Sequence, residues 1–501
     1  MFEAFVQGLF SYAHPTTFGF LLLGTCIGIV IGILPAVGGM VAMALLLPMV
    51  FGMERVAGIS MLLAISGVSS TGGSITAILM NIPGSGPSVA TMIDGFPMTK
   101  KGETGRAFGA LLASATSGGV LGVCVALVMI PIVRPVILSF GSPEMFFLIV
   151  MGISFLAVLS RDSAIKGLIS GLMGIFIALV GYQHSTGADR FAFSSTFLLD
   201  GLELVPVVLG LFAGVELLLL AVSGQPILPK ELVRAGKDLR RQILQGAKDV
   251  YVHRWLWFRS CVLGYIIGLI PGIGGDTAVF VAYGQAKQTS RHPEKFGTGI
   301  VEGVIAPESA SNAKEGGALL TTLALGIPGS ASMALIIGAL MLHGVIPGPE
   351  MLRNELELTF TLLWGLALAN ILGGILCYLI AGYLNLTYLV SVAPRFLVPV
   401  ILSLVFVGAY VYNNNIADVF VTLAFILLGL LMKKFGYNRP ALLLGFILGG
   451  YFEDYFWLSV QSKGAFFFLS PVCLLIIAIT LSLYAVEPIK YLLARRRRVS
   501  P

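Results

Sequence analysis

Residues 316–349 read GGALLTTLALGIPGSASMALIIGALMLHGVIPGP and contain no Asp, Glu, Lys or Arg. As one straight helix the run would be about 51 Å long at 1.5 Å per residue, far more than a hydrocarbon core of about 30 Å. Pro328 removes a backbone donor from its middle, and Gly329 permits a sharp bend. The run therefore reads as a hairpin with Ile327-Pro-Gly-Ser-Ala-Ser332 at its turn. A second charge-free run, Val56 to Ile93, behaves alike, with Asn81-Ile-Pro-Gly-Ser-Gly-Pro-Ser88 as its break, and a third extends from Leu358 to Pro394. Broken backbone inside a bilayer is tolerated only where protein or a watery cavity covers it.

The rest of the chain agrees. Of 501 residues 57% are hydrophobic and 11% charged, with 61 glycines and a mean hydropathy of +0.94. A soluble domain carries about 25% charged residues, so a cytosolic enzyme, a disordered protein and a secreted scaffold are all excluded. The apolar runs lack the alternation of membrane strands, which makes the fold class an all-α polytopic membrane protein. Met1 to Thr17 has no Lys or Arg and so lacks the n-region of a cleaved signal peptide. Cys26, Cys124, Cys261, Cys377 and Cys473 lie in apolar stretches without metal-ligand spacing and read as buried small residues. Basic residues cluster in a connector at 223–258 (Lys230, Arg234, Lys237, Arg240, Arg241, Lys248, Arg254), at Lys433, Lys434 and Arg439, and at Arg495 to Arg498. The positive-inside rule makes all three cytoplasmic and the N-terminus periplasmic, with an odd number of spans in a bacterial inner membrane. It also accounts for the net charge of +6 without nucleic acid.

The connector separates a first half, 1–222, from a second, 259–501. Gly28-Ile-Val-Ile-Gly-Ile-Leu-Pro35-Ala-Val-Gly-Gly39 matches Gly264-Tyr-Ile-Ile-Gly-Leu-Ile-Pro271-Gly-Ile-Gly-Gly275, and Asn81-Ile-Pro-Gly-Ser85 matches Gly326-Ile-Pro-Gly-Ser330. Two words in the same order indicate homologous, inverted repeats with interrupted helices, the strongest sequence pointer to a secondary transporter and its site. Gly24, Gly28 and Gly32, and likewise Gly264, Gly268 and Gly272, recur every four residues, a spacing that lets another helix approach closely.

Each Ile-Pro-Gly-Ser break starts a new half-helix whose free N–H groups favour an anion. Asn81, Pro83, Gly84, Ser85, Gly86 and Ser88 in the first break, and Pro328, Gly329, Ser330 and Ser332 in the second, are the expected substrate-binding residues, with the two breaks facing one midplane cavity. Neither contains Arg or Lys, so binding would rest on neutral donors; the alternative is that the hydroxyls merely cap helices. The glycine breaks, with Gly38, Gly39, Gly274 and Gly275, expose carbonyls suited to a coupling sodium ion, and Asp276 either adds charge there or caps the helix beginning at Thr277. In Glu302 to Glu315, Glu308 and Asn312 share one helix face, whereas Lys314 and Glu315 read as an interfacial turn. Glu308 joins the coupling-ion candidates and Asn312 the substrate-binding ones. Glu216 is either a functional intramembrane acid or a side chain that snorkels toward the connector. Arg161-Asp162 and Glu453-Asp454 read as loop charges. No zinc, Walker or nucleophile-elbow motif occurs, so the chain is no enzyme; sodium or a proton is the coupling ion and no other metal or cofactor is expected.

Several stretches together resemble the large membrane (permease) subunit of the tripartite tricarboxylate transporters. These are Ile270-Pro-Gly-Ile-Gly-Gly275, His292-Pro-Glu-Lys-Phe-Gly297, Glu302 to Ala313, Leu325 to Ala331 and His343 to Pro349 in the second half. Gly72-Gly-Ser74, Asn81 to Ser85, Asp94-Gly-Phe-Pro-Met98 and Lys101 to Ala107 follow in the first. The resemblance covers nearly the whole chain and adds Ser74 to the substrate-binding residues. It implies an importer of tricarboxylates, citrate among them, or of related organic carboxylates, coupled to sodium or protons. Its implied partners are a small four-helix membrane subunit and a periplasmic solute-binding protein, and its motion is elevator-like, a moving domain of the two repeats against a scaffold. Ala36 departs from the glycine usual after that proline, whereas Gly272 keeps it. A passive anion channel and a membrane scaffold are the alternative readings.

Overall fold

The computed structural model describes residues 1–34, 38–158, 164–183, 188–223, 239–270, 274–383 and 394–482. The first half runs α1 (Phe2–Phe10), α2 (Pro15–Ile33), α3 (Gly38–Phe51), α4 (Arg55–Met80), α5 (Ser88–Lys100), α6 (Thr104–Ile137), α7 (Ser142–Val158) and α8 (Ala164–Ala178). A strand pair, β1 (Gly181–Tyr182) and antiparallel β2 (Asp189–Arg190), precedes α9 (Leu204–Val208), a π-helical segment Leu209–Gly214, and α10 (Val215–Ser223). The second half runs α11 (Leu239–Val252), α12 (Arg254–Leu269), α13 (Gly274–Thr289), α14 (Glu302–Leu325), α15 (Ala331–Leu342), α16 (Leu356–Tyr383), α17 (Pro394–Asn413), α18 (Ile416–Phe435), α19 (Arg439–Lys463) and α20 (Pro471–Ser482). Among the described residues seven helices are long and apolar enough to cross a membrane, and the chain is an all-α, multi-pass membrane protein.

The order helix, glycine break, helix, long helix, Ile-Pro-Gly-Ser break, short helix, long helix occurs twice, as α2–α6 and as α12–α16. In both interrupted runs the chain turns back at the Ile-Pro-Gly-Ser break. Helix α4 ends in left-handed Asn81 (φ 57°) and α14 in left-handed Gly326 (φ 69°), a conformation that glycine adopts freely and asparagine tolerates. The packing register recurs as well. A Cβ on Gly28 or Gly32 of α2 would lie within 3.0 Å of Ile65 or Ser69 of α4. One on Gly264 or Gly268 of α12 would lie equally close to Ala310 or Lys314 of α14. Ser69 and Lys314 each stand twelve residues before the left-handed cap. Each break also folds back on its own helix, Gly84 against Gly73 and Gly329 against Ala318. Gly24, Gly28, Gly32, Gly264 and Gly268 of the rows read from sequence are therefore places where helix backbone meets helix backbone, with no room for a methyl group.

Helices α4 and α14 are buried along nearly their whole length, in contact with each other and both with α6 and α16. Around them α7 and α8 pack on α19, and the π segment packs on α3, α17 and α18. One carboxylate fastens the halves together. Asp94 of α5, fully buried, accepts hydrogen bonds on Oδ1 from the backbone N–H of Gly297 (2.9 Å), Gly299 (2.7 Å) and Ile300 (3.1 Å), and on Oδ2 from the Tyr283 hydroxyl (2.8 Å).

Three expectations need correction. Lys314 and Glu315 do not form an interfacial turn: they lie within α14, buried and ion-paired with each other. Glu453 and Asp454 belong to α19 rather than to a loop, and Glu453 holds Arg190 through both carboxylate oxygens (2.7 and 2.8 Å). Cys26 and Cys124 are exposed on the helix bundle, not buried. Within residues 223–258 the chain forms α11 and the start of α12, and α11 docks on α6 where Gly109 and Gly246 let the helices touch. Pro35, Ala36, Arg161, Asp162, Pro271, Gly272 and the arginines 495–498 lie outside the described residues.

Two consequences are measurable. Gly268→Ala drives a methyl into the Lys314 carbonyl and should lower thermal stability in detergent by about 1–3 kcal/mol, whereas Gly284→Ala, with open space around it, should be neutral or stabilising. Equal melting temperatures for the two variants would contradict the packing. Asp94→Ala strips four donors of their acceptor and should cost about 3 kcal/mol or more, with Asp94→Asn intermediate, measured by the same unfolding assay.

Candidate functional site

A cavity of about 440 Å³ opens at the first Ile-Pro-Gly-Ser break. One wall is the break itself, Pro83, Gly84, Ser85 and Gly86, with Val89 of α5; a second is the start of α3 at Gly38, Met40 and Val41. The third comes from distant sequence: Phe212 of the π segment, Glu216 of α10, and Arg439 and Pro440 of α19. The volume suits a small organic molecule, and pockets of this size bind through a few placed polar groups on mostly apolar walls.

The break supplies those groups by local chemistry. Ser88 is fully buried and committed to the turn: its hydroxyl accepts from the Ser85 N–H (3.1 Å) and donates to the Ser85 carbonyl (2.7 Å). Its capping role is structural. Ser85 is half-buried at the cavity, and Gly73, lacking a side chain, gives its hydroxyl room against α4. Asn81 is exposed at the end of α4. The acid and the base meet here. Arg439 Nη2 lies 2.6 Å from Glu216 Oε1, and Lys433 Nζ lies 3.0 Å from Glu216 Oε2. Glu216 is thus neutralised by the turn between α18 and α19, a pairing that neither reading of this acid had named.

The second break lies elsewhere. Pro328, Gly329 and Ser330 are buried and do not line this cavity; the Ser330 hydroxyl caps α15 by accepting from the Met333 N–H (3.4 Å) and contacts Ser332 (3.0 Å). Helix termini of both halves are therefore present, but the described cavity contains one of them, not the pair facing each other.

Between the breaks, α4 and α14 cross through a buried polar network. Asn312 donates to Thr71 (3.2 Å) and to Asn370 of α16 (2.8 Å), and Ser70 lies 3.5 Å from its carbonyl oxygen. One turn earlier Glu308, 1% exposed, accepts from Thr91 of α5 on Oε1, beside Ser74. Its Oε2 has no hydrogen-bond partner among the described residues. A buried carboxylate oxygen left without a donor is a place for a proton or a cation, since burial of an uncompensated charge is costly. Gly39 packs against the Ser69 hydroxyl, while Gly38 (φ 65°) reaches the cavity. Gly274 and Gly275 begin α13, so Asp276 falls in its first turn rather than ahead of it at Thr277; its side chain lies outside the described residues. Thr91, Asn370, Phe212 and Arg439 had gone unrecognised in the sequence.

Residues 18–444 match the sequence model described as Tripartite tricarboxylate transporter TctA family. A protein of Agrobacterium vitis, described as an uncharacterized 52.8 kDa protein in the TAR-I ttuC' 3' region, is 32% identical over 497 residues, covering 97% of this chain and 96% of its own. A second A. vitis protein, described as uncharacterized and in the TAR-II ttuC' 3' region, is 35% identical over 192 residues, 38% of this chain and 78% of its own. No solved structure matches. With a hydrophobic, all-helical chain matched over most of its length, the conclusion is direct: this protein belongs to the tripartite tricarboxylate transporter TctA family and is the membrane component of a transporter that has other subunits.

Proposed function

We propose that the chain imports tricarboxylates or related organic carboxylates across the bacterial inner membrane, driven by a sodium or proton gradient. A periplasmic binding protein delivers the substrate, and a small four-helix membrane subunit completes the transporter. The observation that carries this reading is the cavity at the first Ile-Pro-Gly-Ser break, where a new half-helix begins beside an open glycine wall and the Ser85 hydroxyl. The two halves are read as inverted repeats moving against the remaining helices, supported by the common packing register of α2 on α4 and α12 on α14. The turn at 433–439 is cytoplasmic on the positive-inside rule, so the cavity beside it faces the cytoplasm and the C-terminus shares that side.

Glu308 is the coupling residue of this scheme. It links α5 to α14 through Thr91, and its Oε2, unpaired among the described residues, takes the sodium ion or the proton. Glycine carbonyls near Gly39, Gly274 and Gly275, with Asp276, form the second candidate ion position.

The deciding experiment is uptake of labelled citrate, succinate and an aromatic acid into vesicles holding all three components, with sodium and proton gradients imposed separately. Accumulation that collapses with one gradient is expected; equilibration without accumulation would make the protein a channel, and a lack of flux with every acid would remove the importer reading. Ser85→Ala should raise KM about three- to ten-fold with membrane insertion intact, and unchanged kinetics would remove the first break from the site. Glu308→Gln should reduce gradient-driven accumulation at least about ten-fold while exchange of internal for external substrate persists. Full accumulation by that variant would exclude Glu308 from coupling.

A further inference from the structure

The first break contains no cation, yet the fold brings one to it. Arg439 enters the cavity wall from α19, and its position is fixed on three sides. Nη1 donates to the Leu211 carbonyl (2.9 Å), Nη2 donates to Glu216 (2.6 Å), and the guanidinium stands 5.6 Å from the centre of the Phe212 ring. Leu211 and Phe212 belong to the π-helical segment, a local widening of the helix that is found mostly at functional sites. The charges do not cancel. Among the described residues Glu216 is shared by Lys433 and Arg439, so two cations face one carboxylate and one positive charge is left over beside the Ser85 break.

We propose that Arg439 is the substrate's carboxylate-binding cation, exchanging Glu216 for a carboxylate of the ligand while Lys433 retains Glu216. The inference rests on the carboxylate reading of the cavity and names the charged group that reading lacked. Arginine suits the task because its planar fork meets a carboxylate through two parallel N–H bonds, and the Leu211 carbonyl and the Phe212 ring pre-orient it. Glu216 is then a competitor: it holds the guanidinium in place when the cavity is empty and makes release of the ligand easy. Ser85 and the exposed backbone of Gly86 contact the other end of the anion.

The test is equilibrium binding of labelled citrate and succinate to the full chain in lipid nanodiscs, with thermal unfolding of each variant recorded alongside. Arg439→Gln should weaken binding about ten- to a hundred-fold, and Arg439→Lys, a point charge without the fork, should weaken it less. Glu216→Gln removes the competitor and should tighten binding at least about three-fold. If Arg439→Gln does not fold, the opposite signs of Arg439→Lys and Glu216→Gln carry the test. Unaltered affinity in the folded Arg439 variants, or equal weakening by Arg439→Lys and Glu216→Gln, would reduce the pair to a structural ion bridge and overturn the proposal. Failure of the wild-type chain to bind either anion would instead overturn the carboxylate reading of the cavity, and the assignment of Arg439 with it.

Discussion

A helix that stops at membrane depth leaves backbone N–H and C=O groups that lipid cannot satisfy. This constraint dictates the architecture around α4 and α14. Each helix ends in a left-handed residue and the chain turns back on the helix it has just left, Gly84 onto Gly73 and Gly329 onto Ala318. The Gly84 N–H donates to the Gly73 carbonyl (3.3 Å) and the Gly329 N–H to the Thr322 hydroxyl (3.3 Å), so protein supplies the partners that lipid lacks. The fold-back works only while other helices shield both α4 and α14 from lipid, which is what the glycine faces of α2 and α12 accomplish.

Shielding in turn permits an interior that lipid would not accept. Helix α14 carries Glu308, Asn312, Lys314 and Glu315, all nearly inaccessible, and it is not among the helices apolar enough to qualify as spans. Lys314 and Glu315 neutralise each other, and Asn312 is hydrogen-bonded to two neighbouring helices. A buried pair of this kind gains little net stability against its desolvation, so it is better understood as fixing which neighbours α14 accepts. Asp94 acts similarly at larger scale, since its four donors come from the segment leading into α14 and from α13, while the carboxylate itself belongs to the arm of the other hairpin.

What could be read in the sequence is what local chemistry encodes. Proline at 328 and glycine at 329 interrupt a run too long for one span, and glycines four residues apart mark a face for close packing; both features reappear at the stated residues. The failures share a different cause. Lys314 and Glu315 look like a surface turn because a charge pair inside a membrane is improbable without its surroundings, and those surroundings are α6 and α12, remote in sequence. Glu453 looks like a loop charge because its partner Arg190 lies 263 residues away. Arg439 and Glu216 are 223 residues apart, and nothing local to either connects them with Ser85. The breaks were legible as backbone; which side chains face them depends on tertiary contacts that periodicity does not carry.

The two breaks share a backbone register but not a covering. The second is enclosed: Ile327 packs where Gly152 of α7 leaves space, and the Gly348 N–H donates to the Leu323 carbonyl (3.1 Å), laying the 345–348 segment over Gly326. The first is open to a cavity walled by Phe212 of the π segment, Glu216 of α10, and Arg439 and Pro440 of α19. Since the fold-back geometry is common to both, the difference in exposure arises from what lies over each break rather than from the breaks themselves. The Glu216–Arg439 pairing ties α10 to α19 and so fixes the covering of the first break, as the 345–348 segment fixes that of the second.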